Sequence, residues 1–593
     1  METPHDELQR RHALLAHHLR AQFGEIGSGV LNAIYDHVTW VQLQAGDVLM
    51  QQGEPGDDAY LSLSGRLRVY LRGAEGDNRV VRELGRGEII GEISLYTGAP
   101  RSATVVAIRH TLLARIDKAH FELLVSRYPQ ASIALTRQII HRLQTQQQTR
   151  PMPAPVMVCL LPITDGVEAL PFARRLQTAL AGFGRVACVS ASDVALDALE
   201  AENDFVLMVA DPNDRAWTER CVQHSDEVLL LAQADQPAVV HPIEQACLSQ
   251  RPQRSEAAET LLLLHPSDRP SPLGMRRWLD RRPVTGHLNL RPELDRDMAR
   301  LARILSRNAV GLVLAGGGAR GFAHLGVWKA LRQRGIEVDC VGGTSMGAVM
   351  AAVIAADGAV DDTIAIAREA FRVNPTGDYN WLPLLSLIKG QRVRRLIHRS
   401  IERLTGGPAD VVDLWKGYFC VASNYSQGHE LRLTQGNLAQ SLLASIAIPG
   451  ALPPVVRDGD LLCDGGTFNN FPVDAMRQMR GVGRVFGVDL SARTGRKLDF
   501  DEVPGPWTLL LDRWKPRAQR RYRLPSLISY LLNVTILYSI SRQDEARRLC
   551  DVYFNPPLAR VGLLQWRRFD SIVQQGEAHA LEVLDQLPQS PGG

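Results

Sequence analysis

Residues 338–356, VDCVGGTSMGAVMAAVIAA, constrain what this chain can fold into more than any other stretch. VDCVGG has the pattern of a buried strand, and SMGAVMAAVIAA that of a helix of small and apolar residues. Between them, Gly343-Thr344-Ser345-Met346-Gly347 places a serine at a strand-to-helix turn. A turn that sharp forces its central residue into strained backbone geometry. Gly343 and Gly347 fit the flanking positions because a Cβ there would meet the neighbouring strand and helix. The serine hydroxyl is then exposed at a sheet edge, beside a helix amino terminus whose dipole favours negative charge. By residue frequency alone such a pentapeptide arises in roughly one chain in five of this length. The strand before it and the helix after it lift this one above that background.

A second glycine cluster lies just upstream. NAVGLVLAGGGARGFAHLGVWKAL (308–331) reads as a strand, then Gly316-Gly317-Gly318-Ala319-Arg320-Gly321, then a helix. A glycine loop between a strand and a helix can cradle a dinucleotide pyrophosphate, but that site also wants an acid at the end of a second strand. Glu337 and Asp339 both precede the strand that carries Ser345. The reading preferred is an oxyanion hole, in which backbone N–H groups of Gly316, Gly317, Gly318, Arg320 and Gly321 converge on one point. The Arg320 side chain could buttress the loop, meet a phosphate or form a surface salt bridge. Ser345 needs a base. His398, His429 and His579 are the histidines that follow it, and none sits in a glycine-flanked strand end. Asp464, followed by Gly465 and Gly466, does. An Asp serves as base if apolar surroundings raise its pKa from about 3.9; otherwise it is an ordinary turn residue.

The chain has 593 residues, enough for three or four domains at roughly 100–200 residues each. The expected architecture is multidomain: a β-roll with flanking helices at 1–148, a proline-marked linker at 149–155, an α/β domain at 156–290, an α/β hydrolase domain at 291–495 and a helical extension at 496–593. The roll rests on short alternating strands punctuated by glycine. The 156–290 region rests on recurring apolar runs with helices between them, the pattern of a doubly wound parallel sheet; no phosphate-cradling glycine loop stands out there. A net charge of +3 argues against nucleic acid as a partner. The eight cysteines are scattered, without zinc spacing, which points to a reducing, cytoplasmic setting and to no metal. A charged amino terminus and the lack of any apolar run of about 18 residues predict no signal peptide and no transmembrane helix.

The ordered set GGGARG (316–321), GTSMG (343–347), SIAIPGALPPV (445–455) and DGGTFNNFPV (464–473) resembles the patatin-like phospholipases, acyl hydrolases with a Ser–Asp dyad. The resemblance implies Ser345 as nucleophile, Asp464 as base and later acid, and the amides around Gly317 and Gly318 as oxyanion hole. Where many members of that family read Ala-Thr-Asp, this chain has Ala422-Ser423-Asn424, which leaves local packing open. LQAGDVLMQQGEPGDDAYLSLSGRLRVY (43–70) and GRGEIIGEISLYTGAPRSATV (85–105) resemble a cyclic-nucleotide-binding domain. In that comparison Gly91 opens a short helix toward the cyclic phosphate, Arg101 offers a charge-assisted fork, Glu92 accepts from the ribose 2′-OH, and Ser102 adds a hydroxyl. The order of domains is similar to the neuropathy target esterase branch.

The resemblance implies a serine esterase that acts on phospholipid or lysophospholipid acyl esters, requires no cofactor, and takes cyclic AMP or cyclic GMP as effector. The alternative is a nucleotide-sensing or scaffold protein with an inactive hydrolase fold. A peripheral membrane contact is placed on the basic-aromatic stretch 513–523 and the apolar segment 527–540. The competing reading of these residues is a solvated basic face followed by a core helix.

Overall fold

The computed structural model describes residues 4–23, 28–72, 78–127, 153–191, 194–248, 258–491, 502–515, 521–522 and 537–587. It divides into two compact units. One comprises residues 1–268 and 277–307, the other residues 269–276 and 308–593.

In the first unit, two four-stranded antiparallel sheets form the expected roll. A six-stranded parallel sheet follows, in the order Val186–Val189, Phe205–Val209, Met157–Pro162, Glu227–Gln233, Ala258–Leu264, Gly286–Leu290. Its central strand Met157–Pro162 is buried throughout, which explains its unbroken apolar sequence. The helix Asp295–Leu305 turns Met298, Leu301, Ala302 and Leu305 into this same core. The expected boundary at 290/291 is therefore corrected: the apolar stripe of that helix faces the parallel sheet, and the unit runs through Arg307. Most of the 149–155 linker lies outside the described residues.

The roll and the parallel sheet meet at buried charges. The Arg109 guanidinium donates to Asp226 Oδ1 at 2.5 Å and to both Glu200 oxygens at 2.6 and 3.1 Å. Asp226 Oδ2 accepts from the amides of Val156 and Met157. All three charged side chains are about 97–99 % buried. Burial opposes ionisation of Asp226, but Arg109, Arg66 and the Met157 amide outweigh it and hold its pKa down at about 2. Burial wins at Glu200, whose pKa is raised against the pull of Arg109.

The second unit is built on a mixed sheet. Its elements include β1 (Ala309–Leu314), α1 (Ala323–Gln333), β2 (Cys340–Thr344), α2 (Met346–Ala355), α3 (Gln391–Thr405), β3 (Gly417–Asn424), β4 (His429–Leu433), β5 (Val455–Arg457), β6 (Asp460–Asp464), β7 (Val482–Val488), β8 (Val552–Phe554) and α4 (Phe569–Asp585). The strand order is β5-β6-β3-β2-β1-β7-β8, with β4 paired to β3. Strands β3, β2, β1, β7 and β8 run parallel, and β6 returns antiparallel beside β3. This return brings the end of β6 level with the end of β2.

The expected helical extension at 496–593 is also corrected. Strand β8 joins the sheet edge, and Val552, Phe554, Trp566, Phe569 and Ile572 lie in the domain core. Helix α4 crosses α1 at glycines. A Cβ on Gly326 would lie 2.0 Å from the Val573 carbonyl oxygen, and one on Gly576 would lie 2.3 Å from that of Ala323. A three-residue strand and a glycine-mediated crossing carry too little periodicity to be read in sequence. Of the proposed membrane segment, 516–520 and 523–536 lie outside the described residues. Trp514 is exposed, Lys515 pairs with Asp512, and Leu537–Ser541 is a short helix. Among the described residues, no helix is long and apolar enough to cross a membrane.

Candidate active site

Ser345 caps α2 with φ 56° and ψ −126°, the strained conformation expected of the turn. Two close backbone approaches make the turn possible. A Cβ on Gly347 would lie 2.1 Å from the Leu314 carbonyl oxygen, and one on Gly343 would lie 2.5 Å from the same atom. Only glycine lets β2 and α2 press on the end of β1 in this way.

Asp464 ends β6. Ser345 Oγ donates to Asp464 Oδ2 at 2.7 Å, and the Gly466 amide donates to Oδ1 at 2.7 Å. Residues 119 apart in sequence are thus in direct contact, with one carboxylate oxygen held and the other facing the hydroxyl. A Cβ on Gly465 would lie 2.2 Å from the Val421 carbonyl oxygen, so the D-G-G turn fits β3 only with glycine. Burial pushes the Asp464 pKa up to about 6, against the opposing pull of the Ser345 hydroxyl and the Gly466 amide. Among the described residues, no histidine is hydrogen-bonded to Ser345 or Asp464. His579 instead accepts from the Asn555 amide.

The glycine loop lies against the serine: a Cβ on Gly316 would come within 3.0 Å of Ser345 Cβ. The five expected oxyanion residues do not contribute equally. The Gly316 amide donates to Asn470 O, that of Ala319 to Leu563 O and that of Arg320 to Gly317 O. The amides of Gly317 and Gly318 have no partner among the described residues, so these two are available to an oxyanion. Gly318 has φ 55°, and a Cβ there would lie 2.4 Å from Leu563 O. Gly321 makes room for Met346, 2.4 Å from the position a Cβ would take. Arg320 is corrected from the oxyanion set. Its guanidinium donates to the carbonyls of Val561 (2.7 Å) and Leu490 (3.4 Å), so it buttresses the loop.

Several residues at the site were not selected from sequence. Ser445 Oγ accepts from the Ser345 amide at 3.0 Å and donates to Val421 O at 2.6 Å. Asn470 Nδ2 donates to Gly316 O at 3.2 Å, and Thr344 Oγ1 donates to Asn469 O at 2.7 Å. His324, buried and held neutral with a pKa near 4, donates from Nε2 to Ala315 O just before the loop. Ser445, Asn469 and Asn470 all fall inside the motifs quoted above, and that was the available signal. At the departure from the family pattern, Ser423 Oγ donates to the Asp464 carbonyl at 2.9 Å.

In the roll, Gly91 has φ 85° and precedes the helix Glu92–Thr97. Arg101 is 5 % exposed. Its Nη1 donates to Gly91 O at 3.1 Å, and its Nη2 donates to Asp58 O at 2.9 Å and to the Asp58 carboxylate. The expected phosphate fork is thus already braced by Asp58, which also pairs with Arg115. Glu92 is buried and Ser102 exposed. Among the described residues, no group of three or more His, Cys, Asp or Glu is placed to hold a metal ion.

Residues 312–477 match the patatin-like phospholipase family model, residues 40–128 the cyclic nucleotide-binding domain, and residues 194–302 the Neuropathy Target Esterase family P-loop like domain. The chain is 29 % identical to Neuropathy target esterase sws of Drosophila melanogaster, over 95 % of this chain and 44 % of that protein. It is 30 % identical to Lysophospholipase nte1 of Aspergillus oryzae, over 92 % and 41 % respectively. It therefore spans less than half the length of these relatives. A solved cyclic nucleotide-binding domain from Methylobacillus flagellatus matches 23 % of this chain and 80 % of its own, at 22 % identity and a TM-score of 0.22.

Proposed function

We infer, for a chain that joins a patatin-like phospholipase domain to a Neuropathy Target Esterase family P-loop like domain and a cyclic nucleotide-binding domain, that it is a serine esterase cleaving acyl esters of phospholipids or lysophospholipids. The observation that carries this reading is the 2.7 Å Ser345–Asp464 contact beside two glycine amides with no partner among the described residues. Ser345 Oγ attacks the acyl carbonyl while its proton passes to Asp464 Oδ2. The Gly317 and Gly318 amides receive the oxyanion, helped by the amino terminus of α2. Collapse of the tetrahedral intermediate expels the lipid alkoxide, which takes the proton back from Asp464. Water then attacks the acyl-serine, with Asp464 again as base, releasing fatty acid and restoring the hydroxyl. The names of the relatives support the substrate class. Eight free cysteines support action in a reducing, cytoplasmic setting.

The test is covalent labelling by a fluorophosphonate. Wild-type protein is expected to label at Ser345, and Ser345→Ala protein is not. The base must be ionised, so labelling and kcat/KM are expected to rise with pH through about 6, the raised pKa of Asp464. A rate that does not change between pH 5 and pH 8 would show that another group takes the proton.

The effector reading extends to the roll. Cyclic AMP or cyclic GMP is expected to bind with its phosphate at Gly91 and Arg101. Arg101→Gln should weaken that binding about 10- to 100-fold by calorimetry, the loss of a charge-assisted hydrogen bond. Equal affinity in the variant would remove Arg101 from the site.

A further inference from the structure

We propose that the loop tip Trp381–Leu385 and the adjoining basic face of α3 form a docking surface for an anionic phospholipid bilayer. Its consequence for turnover rests on the esterase reading above; the binding itself does not. The loop is pinched at its base by a Tyr379–Ile388 bridge and by hydrogen bonds from Asn380 N to Leu387 O (2.9 Å) and from Lys389 N to Asp378 O (2.7 Å). Beyond the pinch the chain turns apolar side chains outward. Trp381 is 95 % exposed, Leu384 82 % and Leu385 75 %, with Leu382 exposed between them. Four large apolar residues at one pinched tip cost free energy in water and signal a contact surface. A tryptophan among leucines suits the headgroup–acyl boundary.

The charge beside the tip selects the occupant. Three residues after the pinch, α3 begins. Arg392, Arg395, Arg399 and Arg403 line a cavity of about 290 Å³ on its face, floored by apolar atoms of Val373 and Leu396. Arg403 pairs with Glu369 at 2.6 Å. Arg392, Arg395 and Arg399 are exposed and have no carboxylate partner among the described residues. The Arg392 amide is held by Asp378 at the loop base, which fixes this cationic row next to the apolar tip. Insertion of the tip into acyl chains would bring these guanidiniums to lipid phosphates.

The loop base also touches the dyad's supports. Leu387 N donates to Gly450 O (2.9 Å) and Ile388 N to Ala451 O (3.0 Å). These acceptors follow Ser445, which holds the Ser345 amide, and Ala447, whose carbonyl accepts from the Asp464 amide. A bilayer seated on the tip is therefore fastened to the segment that frames the ester-cleaving serine.

Binding is tested with full-length Ser345→Ala protein, so that no turnover occurs. It is co-sedimented with vesicles of phosphatidylcholine alone or mixed with phosphatidylserine. The protein is expected to bind both, and more tightly with phosphatidylserine. Serine at positions 381, 382, 384 and 385 should abolish both kinds of binding. Glutamine at 392, 395 and 399 should remove only the phosphatidylserine increment, about fivefold per arginine at low salt and less at high salt. In the Ser345 enzyme, the four-serine variant should keep wild-type hydrolysis of a soluble short-chain aryl ester and lose at least about tenfold on vesicle lysophospholipid through KM. Undiminished sedimentation of the four-serine variant overturns the proposal. So does a finding that these residues instead hold two copies of the chain together, with a dimer that dissociates in the variant and no vesicle binding. Failure of the wild-type enzyme on the soluble ester, with vesicle binding intact, counts against the esterase reading alone.

Discussion

Asp464→Asn protein is expected to lose about 10³- to 10⁴-fold in kcat/KM, or about 4–5 kcal/mol of transition-state stabilisation, while remaining folded. The substitution keeps size and shape. The Gly466 amide still needs an acceptor, so the new side chain should turn its oxygen to Gly466 and its NH₂ to Ser345. The serine oxygen then faces a donor and has no base. Stability should move the other way. Asp464 has a raised folded pKa, so its stabilising contribution is complete below its unfolded pKa of 3.8 and is lost as pH rises through about 6. Above that pH the ionised form withholds about 3 kcal/mol from folding, at 1.36 kcal/mol per pH unit of displacement. The amide variant is spared this cost, so its melting temperature at pH 8 should equal or exceed that of wild type. Activity above a tenth of wild type would assign the proton to a different base.

The second large effect concerns the buried charges of the first unit. Arg109→Met protein should lose about 3–5 kcal/mol of stability in the first unit, because Glu200 and Asp226 then remain buried without their hydrogen-bonded cation and Asp226 keeps only the Arg66 contact at 3.8 Å. Urea denaturation of the variant should show an earlier transition. Arg215→Ala, which breaks an exposed pair with Glu219, should leave the curve where it was. A triple variant that also replaces Glu200 and Asp226 with apolar side chains of similar volume should recover part of the loss, the amides that these carboxylates accept from being left without acceptors. If Arg109→Met alone leaves the midpoint unchanged, the cluster is not a fixed link between roll and parallel sheet.

The Ser345–Asp464 contact was legible because the elbow, the glycine loop and the D-G-G turn each need glycine where two backbones touch, and an absent side chain is visible in sequence. Gly347 against Leu314 and Gly465 against Val421 are such contacts. Legibility stopped where a contact depends on a distant, chemically ordinary partner. Nothing about Leu563 announces that its carbonyl will fix the bend at Gly318 and Ala319. Nor does Arg320 announce that it will reach Val561 rather than an anion. The apolar stripe of the helix Asp295–Leu305 does not say which of two sheets it will cover. Trp381–Leu385 shows the converse limit: an apolar run reads as core until the backbone is seen to carry it outward.

The Leu563 contact also sets a timetable. The bend that would receive the charged intermediate is braced by a residue translated some two hundred and forty positions after it. Helix α4, which clasps α1 through Gly326 and Gly576, emerges later still. On a ribosome adding about 5–20 residues per second, the elbow and its carboxylate partner leave the exit tunnel seconds before the brace does. On the esterase reading, a nascent chain therefore carries both reacting groups before the bend that would hold the oxyanion is braced.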